Sequence, residues 1–149
     1  MDAISVRLAT ETDMDWCKYT LTLDSNYPTQ QLPGLSELIV AELDGQLVGV
    51  LHLAYLWPGQ QGGIPYISVI IVVKEYQRRG VGKALIGFLE RLLQERDQSV
   101  LLSSCVINEH EPQTWHKHVG FKSCGNLEGI PFDDELGEVF FYKRLDQQC

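Results

Sequence analysis

Gln77-Arg78-Arg79-Gly80-Val81-Gly82 decides the fold, because the hydrophobic pattern changes on either side of it. Residues 64–73 form a nearly continuous β-branched run, which is typical of a central strand covered on both faces. From Val81 to about Asp97, apolar residues recur every three or four positions, which predicts an amphipathic helix. The stretch therefore joins a buried strand to a long helix, and its glycines allow a tight turn that a ligand can approach closely.

The start of this helix has the features of an anion site. The first backbone N–H groups of a helix have no partner inside it, and the helix dipole places partial positive charge there. Arg78, Arg79 and Lys83 add full positive charges beside them. The combination is typical of a pyrophosphate site. A plain glycine turn between solvated arginines fits equally well, so the turn alone leaves both interpretations open.

Two common phosphate-binding motifs do not fit the same stretch. The dinucleotide fingerprint G-x-G-x-x-G requires a third glycine where this chain has Leu85, and the P-loop requires Ser or Thr where it has Ala84. A Rossmann-like nucleotide binder would also alternate parallel strands with helices, whereas residues 38–73 predict three strands in succession. That class of protein is therefore the weaker alternative.

The remaining patterns predict the order β-α-β-β-β-α-β-α-β-β within one domain, residues 1–149. Asp44-Gly45 supplies the positive φ values of a two-residue type I′ turn and so predicts a hairpin. Thr10 or Thr12 can cap the first helix, and Asn26-Tyr27-Pro28 ends it, because the residue before a proline avoids helical geometry. The predicted strands are 4–8, 38–43, 46–55, 64–73, 99–107, 121–127 and 138–145, and the later helices are 81–97 and 112–119.

Composition and charge restrict the class of protein. The net charge is −8, which argues against a nucleic-acid binder. It fits cationic partners such as amines, and it fits simple solubility better. The four cysteines are scattered without a C-x-x-C pair, which predicts no metal site and fits free thiols in the cytoplasm. The most apolar run, 66–73, is too short to span a bilayer, so no membrane partner is expected.

Two segments carry a resemblance to a known family. Residues 71–85 contain the core Q/R-x-x-G-x-G/A, met by Gln77, Gly80 and Gly82. Farther along the chain stands Trp115-His116-Lys117-His118-Val119-Gly120-Phe121. The first segment resembles motif A of the GNAT superfamily of acyl-CoA-dependent N-acyltransferases, and the second resembles that family's LYEKLGF segment. The element order agrees along the whole chain.

The resemblance implies an α/β (α+β) fold with a mixed, splayed β-sheet of about six to seven strands flanked by helices. It also implies acetyl-CoA as cosubstrate. The pantetheine arm would hydrogen-bond to the main chain of Ile71 and Val73 as an added strand does, and the pyrophosphate would lie on residues 78–83. Asn108 would contact the cofactor or order a strand end. The implied cofactor-binding residues are Ile71, Val72, Val73, Arg78, Arg79, Gly80, Val81, Gly82, Lys83 and Asn108.

The implied reaction moves an acetyl group to a primary amine, a small molecule or a peptide, by direct attack in a ternary complex. The amine must lose a proton, because an alkylammonium has a pKa of about 10. The oxyanion needs a donor, expected from a backbone N–H near Val73, and the departing thiolate needs a proton. Asp133-Asp134-Glu135 could attract a cationic acceptor or simply face solvent.

Ser68 and His116 are the candidate catalytic residues, and both depart from the family pattern. Ser68 stands where many members carry a glutamate that acts as base, and no carboxylate lies within 66–73. His116 stands where many members carry a tyrosine that protonates the thiolate. An imidazole suits that transfer, although an outward-facing surface histidine fits the pattern too. Tyr66 and Trp57 could wall the amine site or serve packing alone.

These two departures support an alternative function, a non-catalytic acyl-CoA-binding or regulatory module. Turnover of acetyl-CoA with a panel of amines distinguishes it from an enzyme. The sequence is compatible with a homodimer and does not identify the acceptor amine.

Overall fold

A computed structural model describes residues 3–25, 37–59, 62–129 and 137–146. The predicted element order is confirmed, and the boundaries of the later helices differ by about two residues. The predicted helix end at 26–28 and the acidic loop 133–135 lie outside the described residues. The elements are β1 (Ile4–Leu8), α1 (Met14–Ser25), β2 (Leu38–Leu43), β3 (Gln46–Leu56), β4 (Ile64–Val72), α2 (Val81–Glu95), β5 (Val100–Val106), α3 (His110–His118), β6 (Lys122–Leu127) and β7 (Glu138–Arg144).

The seven strands of the described residues form a mixed sheet, which confirms the predicted fold class. Two compact units divide the chain, 1–54 with 68–92 and 55–67 with 93–149, and β4 contributes to both. In the first unit the order is β1-β2-β3-β4, with β1, β2 and β3 antiparallel. In the second the order is β4-β5-β7-β6; β4 and β5 are parallel, and the later pairs are antiparallel. That the whole chain is one domain stays a prediction.

The first unit is built around the predicted hairpin. Asp44 and Gly45 have φ values of 54° and 77°, which are the positive values that the type I′ turn requires. Arg7 bonds to both Asp13 and Glu42, and its guanidinium holds the pKa of Asp13 at about 2. This pairing fixes the short 3₁₀ turn before α1. Helix α1 then packs on the sheet through a buried cluster of Ala9, Cys17, Leu21, Leu38, Val40 and Val50.

Helix α2 lies closely against β3 at Gly49. A Cβ atom at Gly49 would lie 3.0 Å from Cγ1 of Val81 and 3.2 Å from Cδ1 of Leu85. Both of these side chains are fully buried in the first two turns of α2. The absence of a side chain at Gly49 therefore lets the helix approach the strand, and it determines where the start of α2 lies in the unit.

Candidate active site

The turn between β4 and α2 is held by Gln77. Its side-chain Nε2 donates to the carbonyl oxygen of Val72 at 3.0 Å, and its backbone N–H donates to that of Lys74 at 3.3 Å. The guanidinium carbon of Arg79 lies 5.2 Å from the ring centroid of Tyr76. The glutamine of the predicted motif thus connects the last residue of β4 to the turn, and one arginine is held on an aromatic face.

Two residues of this turn have left-handed backbone conformations. The φ values are 65° at Arg78 and 87° at Gly80. Open space surrounds the position of a Cβ at Gly80, so glycine is favoured there by its backbone conformation and not by crowding. A non-glycine residue such as Arg78 adopts this conformation at a cost of order 1–2 kcal/mol. A strained turn next to a helix start is common where backbone atoms hold a ligand.

The first turn of α2 directs N–H groups that have no partner inside the helix toward this turn. The N–H of Ala84 donates to the carbonyl oxygen of Gly80 at 3.0 Å, which is the first α-helical hydrogen bond. The N–H groups of Val81, Gly82 and Lys83 therefore have no acceptor inside the helix. Arg78, Arg79 and Lys83 are exposed around them. An open groove of about 420 Å³ is lined by Ile4, Val6, Gly80, Lys83, Ala84, Gly87 and Arg91.

The main chain at the end of β4 makes hydrogen bonds that are incompatible with part of the predicted cofactor contacts. The N–H of Val73 donates to Val48 on β3 at 2.9 Å, and the carbonyl oxygen of Val73 accepts from Tyr76 at 2.8 Å. The carbonyl oxygen of Ile71 also faces β3, 3.4 Å from the Cβ position of Gly49. Successive residues of a strand direct their main-chain groups to opposite edges, so Val72 faces the other edge.

The predicted main-chain bonds from Ile71 and Val73 to pantetheine are therefore wrong, because both residues face β3. The Val73 N–H is likewise engaged and does not act as the oxyanion donor. Of the three predicted strand residues, Val72 alone presents its N–H to the edge away from β3.

His116 is a buried residue of α3, 4% exposed, and both of its ring nitrogens have partners. Nδ1 lies 2.7 Å from the carbonyl oxygen of Pro112, which can only accept, so Nδ1 carries the proton. Nε2 lies 2.7 Å from Oγ of Ser103 and accepts from that hydroxyl in the neutral ring. The ring stacks on Phe141 at 4.4 Å. The surface interpretation is wrong, and these contacts support a structural role, so the catalytic role stays a prediction.

The burial of His116 predicts a pH dependence of stability. Burial lowers the pKa of His116 below its ordinary value near 6.5, so the unfolded chain binds more protons as the pH falls. The free energy of unfolding is then fully retained above pH 6.5 and declines below it, by at most about 1.4 kcal/mol per pH unit from this group. Urea unfolding between pH 7.5 and 5.5 measures the slope.

His116→Phe should reduce this slope, and His118→Gln provides the control because His118 is exposed on the same helix. His52 is also buried, and its burial lowers its pKa, so the variant retains part of the slope. If the dependence of the free energy of unfolding on pH is unchanged in His116→Phe, the buried His116 is not its source.

A chain of hydrogen bonds crosses three strands of the second unit. The hydroxyl of Tyr66 on β4 lies 2.6 Å from Oγ of Ser104 on β5, and Ser104 donates to Oε1 of Glu138 on β7 at 2.9 Å. The Tyr66 ring stacks on Phe140 at 5.9 Å. Because Ser103 and Ser104 are adjacent on β5, their side chains point to opposite faces. The hydrogen bonds that join Tyr66, Ser104 and Glu138 therefore lie on the face of β5 opposite to His116.

The positions of Ser68 and Asn108 neither support nor contradict their predicted roles. Ser68 is half-buried on β4, two residues after Tyr66, and belongs to the first unit, whereas His116 belongs to the second. Asn108 is exposed just beyond the end of β5. Sequence reasoning missed the roles of Gly49, Ser104 and Glu138. A lone glycine in a predicted strand was the one signal that could have drawn attention to Gly49.

In the described ranges, no three His, Cys, Asp or Glu side chains are grouped so that they could hold a metal ion. None of the helices that the structure describes has the length and hydropathy of a membrane span.

Comparison with known proteins agrees with this architecture. The Brucella melitensis ribosomal-protein-alanine N-acetyltransferase is 22% identical, with a TM-score of 0.75 over 94% of this chain and 99% of that one. Ard1 from Thermoplasma volcanium is 17% identical, with a TM-score of 0.77 over 97% and 99%. The yncA protein from Salmonella typhimurium, solved with its cofactor acetyl-CoA, is 16% identical, with a TM-score of 0.75 over 99% and 96%. These likenesses show the fold.

The sequence itself identifies the family. A search of curated proteins gave no match. The model of the Acetyltransferase (GNAT) family, however, matches residues 6–121, well over half of the chain and including both motif segments. The chain therefore belongs to the GNAT family of acetyltransferases.

Proposed function

We propose that this chain is an acetyl-CoA-dependent N-acetyltransferase that acetylates a primary amine by direct attack in a ternary complex. The observation that carries the proposal is the left-handed turn of Arg78 and Gly80 at the start of α2. It lies beside the first N–H groups of the helix, which have no acceptor inside it, and beside three cations, which together suit a pyrophosphate. The yncA protein is described with acetyl-CoA as its cofactor, which supports this choice of cosubstrate.

In the proposed binding mode, the start of α2 holds the pyrophosphate and the end of β4 holds the pantetheine arm. The pyrophosphate lies on the N–H groups of Val81, Gly82 and Lys83, with Arg78 and Arg79 beside it. The pantetheine arm takes the N–H of Val72, which faces the edge away from β3.

The acceptor in this proposal is an amine of a small molecule or of a peptide. Two of the similar structures are ribosomal-protein alanine N-acetyltransferases by name, which favours trying peptide α-amines first. Cys17, Cys105 and Cys124 are free thiols, which fits the reducing cytoplasm that we propose as its location.

Acetyl-CoA should raise the melting temperature, because a ligand that binds only the native state stabilises it. At a concentration 100-fold above Kd the gain is about 2.7 kcal/mol. Gly82→Glu should abolish the shift by placing bulk and negative charge at the free N–H groups. Differential scanning fluorimetry with millimolar acetyl-CoA measures both proteins.

Gly59→Glu is the matched control, because it makes the same change where an added Cβ meets nothing within 4 Å. It should retain the full shift. No shift in the unmodified protein would sink the cofactor assignment, and a full shift in folded Gly82→Glu would show that the site is elsewhere.

A non-catalytic acyl-CoA-binding module is the second candidate. It is favoured by Ser68, which provides no carboxylate, and by the engaged ring nitrogens of His116. Thiol release from acetyl-CoA with a panel of peptide and small amines decides between the two. Binding without release from any amine supports the module.

A further inference from the structure

We infer that Tyr66, Ser104 and Glu138 form a proton relay that removes a proton from the acceptor ammonium, with the Glu138 carboxylate as its final acceptor. The inference rests on the proposed function and names the group that does the work of the carboxylate lacking at Ser68. Tyr66 precedes Ser68 by two residues on β4, and alternate residues of a strand share a face.

The direction of the hydrogen bonds in the relay follows from the number of protons. A serine hydroxyl has one proton, and Ser104 donates it to Oε1 of Glu138 at 2.9 Å. The hydroxyl of Tyr66, 2.6 Å from Oγ of Ser104, must therefore be the donor in that pair. The oxygen of Tyr66 then has lone pairs left and no proton to give elsewhere. Its remaining capacity is to accept, which suits an ammonium N–H.

Burial and charge agree with this assignment. Burial raises the pKa of Tyr66, and the negative charge of Glu138 adds to this against the lowering effect of the Ser104 hydrogen bond. The phenol therefore keeps its proton and passes it on only as it receives another. The stacking of Tyr66 on Phe140 fixes the ring. The antiparallel pairing of β5 with β7 sets Ser104 opposite Phe140, two residues from Glu138 on the same face of β7. The three groups are thus held in line before any substrate arrives.

The proposed transfer begins at the ammonium group of the acceptor. One N–H bond of the ammonium breaks, and its proton moves to the oxygen of Tyr66. The Tyr66 proton moves to Ser104, and the Ser104 proton moves to Glu138. The nitrogen lone pair attacks the thioester carbonyl carbon, and the C–S bond breaks with its electron pair on sulfur. A second N–H proton leaves the nitrogen as the amide forms and balances the thiolate.

The test compares two acceptors that differ in charge at pH 7, benzylamine as the alkylammonium and O-benzylhydroxylamine as the neutral amine, beside a panel of peptide amines. Glu138→Gln can still accept from Ser104 but cannot take up a proton. It should lower kcat with cationic acceptors by about 100-fold or more, the usual contribution of a general base. The KM for acetyl-CoA and the rate with the neutral amine should change by less than about threefold.

Companion variants separate the relay from simple packing. Tyr66→Phe and Ser104→Ala should reproduce the loss, whereas Ser104→Thr should retain most of the rate because it keeps the hydroxyl. Glu109→Gln is the control, because Glu109 is an exposed carboxylate of the same unit, and it should leave the rate unchanged. Equal losses with both acceptors, or an undiminished kcat in Glu138→Gln, overturn the relay. Failure of the unmodified protein to release thiol with any amine overturns the proposed function instead, and is seen before any variant is made.

Discussion

Replacement of His116 by alanine is expected to lower the free energy of unfolding by about 3–4 kcal/mol, because it removes a buried ring and the partners of two polar groups. The hydroxyl of Ser103 and the carbonyl oxygen of Pro112 each lose a hydrogen bond of 2.7 Å. The ring also leaves a cavity against Phe141 and Phe121. Equilibrium urea denaturation at pH 7.5 measures the loss.

Two controls make this result specific. His118→Ala removes an exposed histidine two residues away on the same short helix and should cost less than about 0.5 kcal/mol. His116→Phe should fall between the two, because it keeps the stacking and loses both hydrogen bonds. A loss under about 1 kcal/mol in His116→Ala would contradict the structural role.

The same variant also addresses catalysis. If His116 is structural, His116→Ala assayed well below its melting temperature should retain kcat per folded molecule. A fall of kcat by two orders of magnitude in protein that is folded and binds acetyl-CoA would restore the predicted role as general acid.

Local patterns made much of the fold predictable from the sequence. The Asp44-Gly45 turn needs positive φ at both residues, and the residue types provide it. The change of period at Val81 predicts the start of α2, and the structure begins the helix at that residue. The exposed cations at Arg78, Arg79 and Lys83 followed from the same stretch.

The features that were missed depend on contacts between distant parts of the chain. The N–H of Val73 faces β3 because it pairs with Val48. The hydrophobic period of a strand shows which side chains share a face, and it does not show which neighbouring strand each N–H group faces. The burial of His116 comes from Phe141, which lies on a strand that follows in sequence. Tyr66, Ser104 and Glu138 are separated by more than 30 residues at each step, so no local motif could join them.

Gly49→Val is expected to destabilise the protein and to weaken acetyl-CoA binding together. Its Cβ would lie 3.0 Å from Val81 and 3.2 Å from Leu85, and its methyl groups would crowd the same buried side chains. Overpacking of this kind costs about 1–3 kcal/mol, because well-packed neighbours have to shift. The shift acts on the first turns of α2, which carry the N–H groups proposed to hold the pyrophosphate.

Gly87→Ala is the control on the same helix, where the nearest atom to an added Cβ is a flexible Arg91 nitrogen at 3.6 Å. It should stabilise the protein by about 0.5–1 kcal/mol, because alanine is the better helix former, and leave affinity unchanged. Urea denaturation and calorimetric titration with acetyl-CoA measure both quantities. If Gly49→Val loses stability but binds acetyl-CoA as tightly as the unmodified protein, the position of the helix start does not control the cofactor site. A weaker affinity in Gly49→Val with unchanged affinity in Gly87→Ala ties cofactor binding to the contact between β3 and α2.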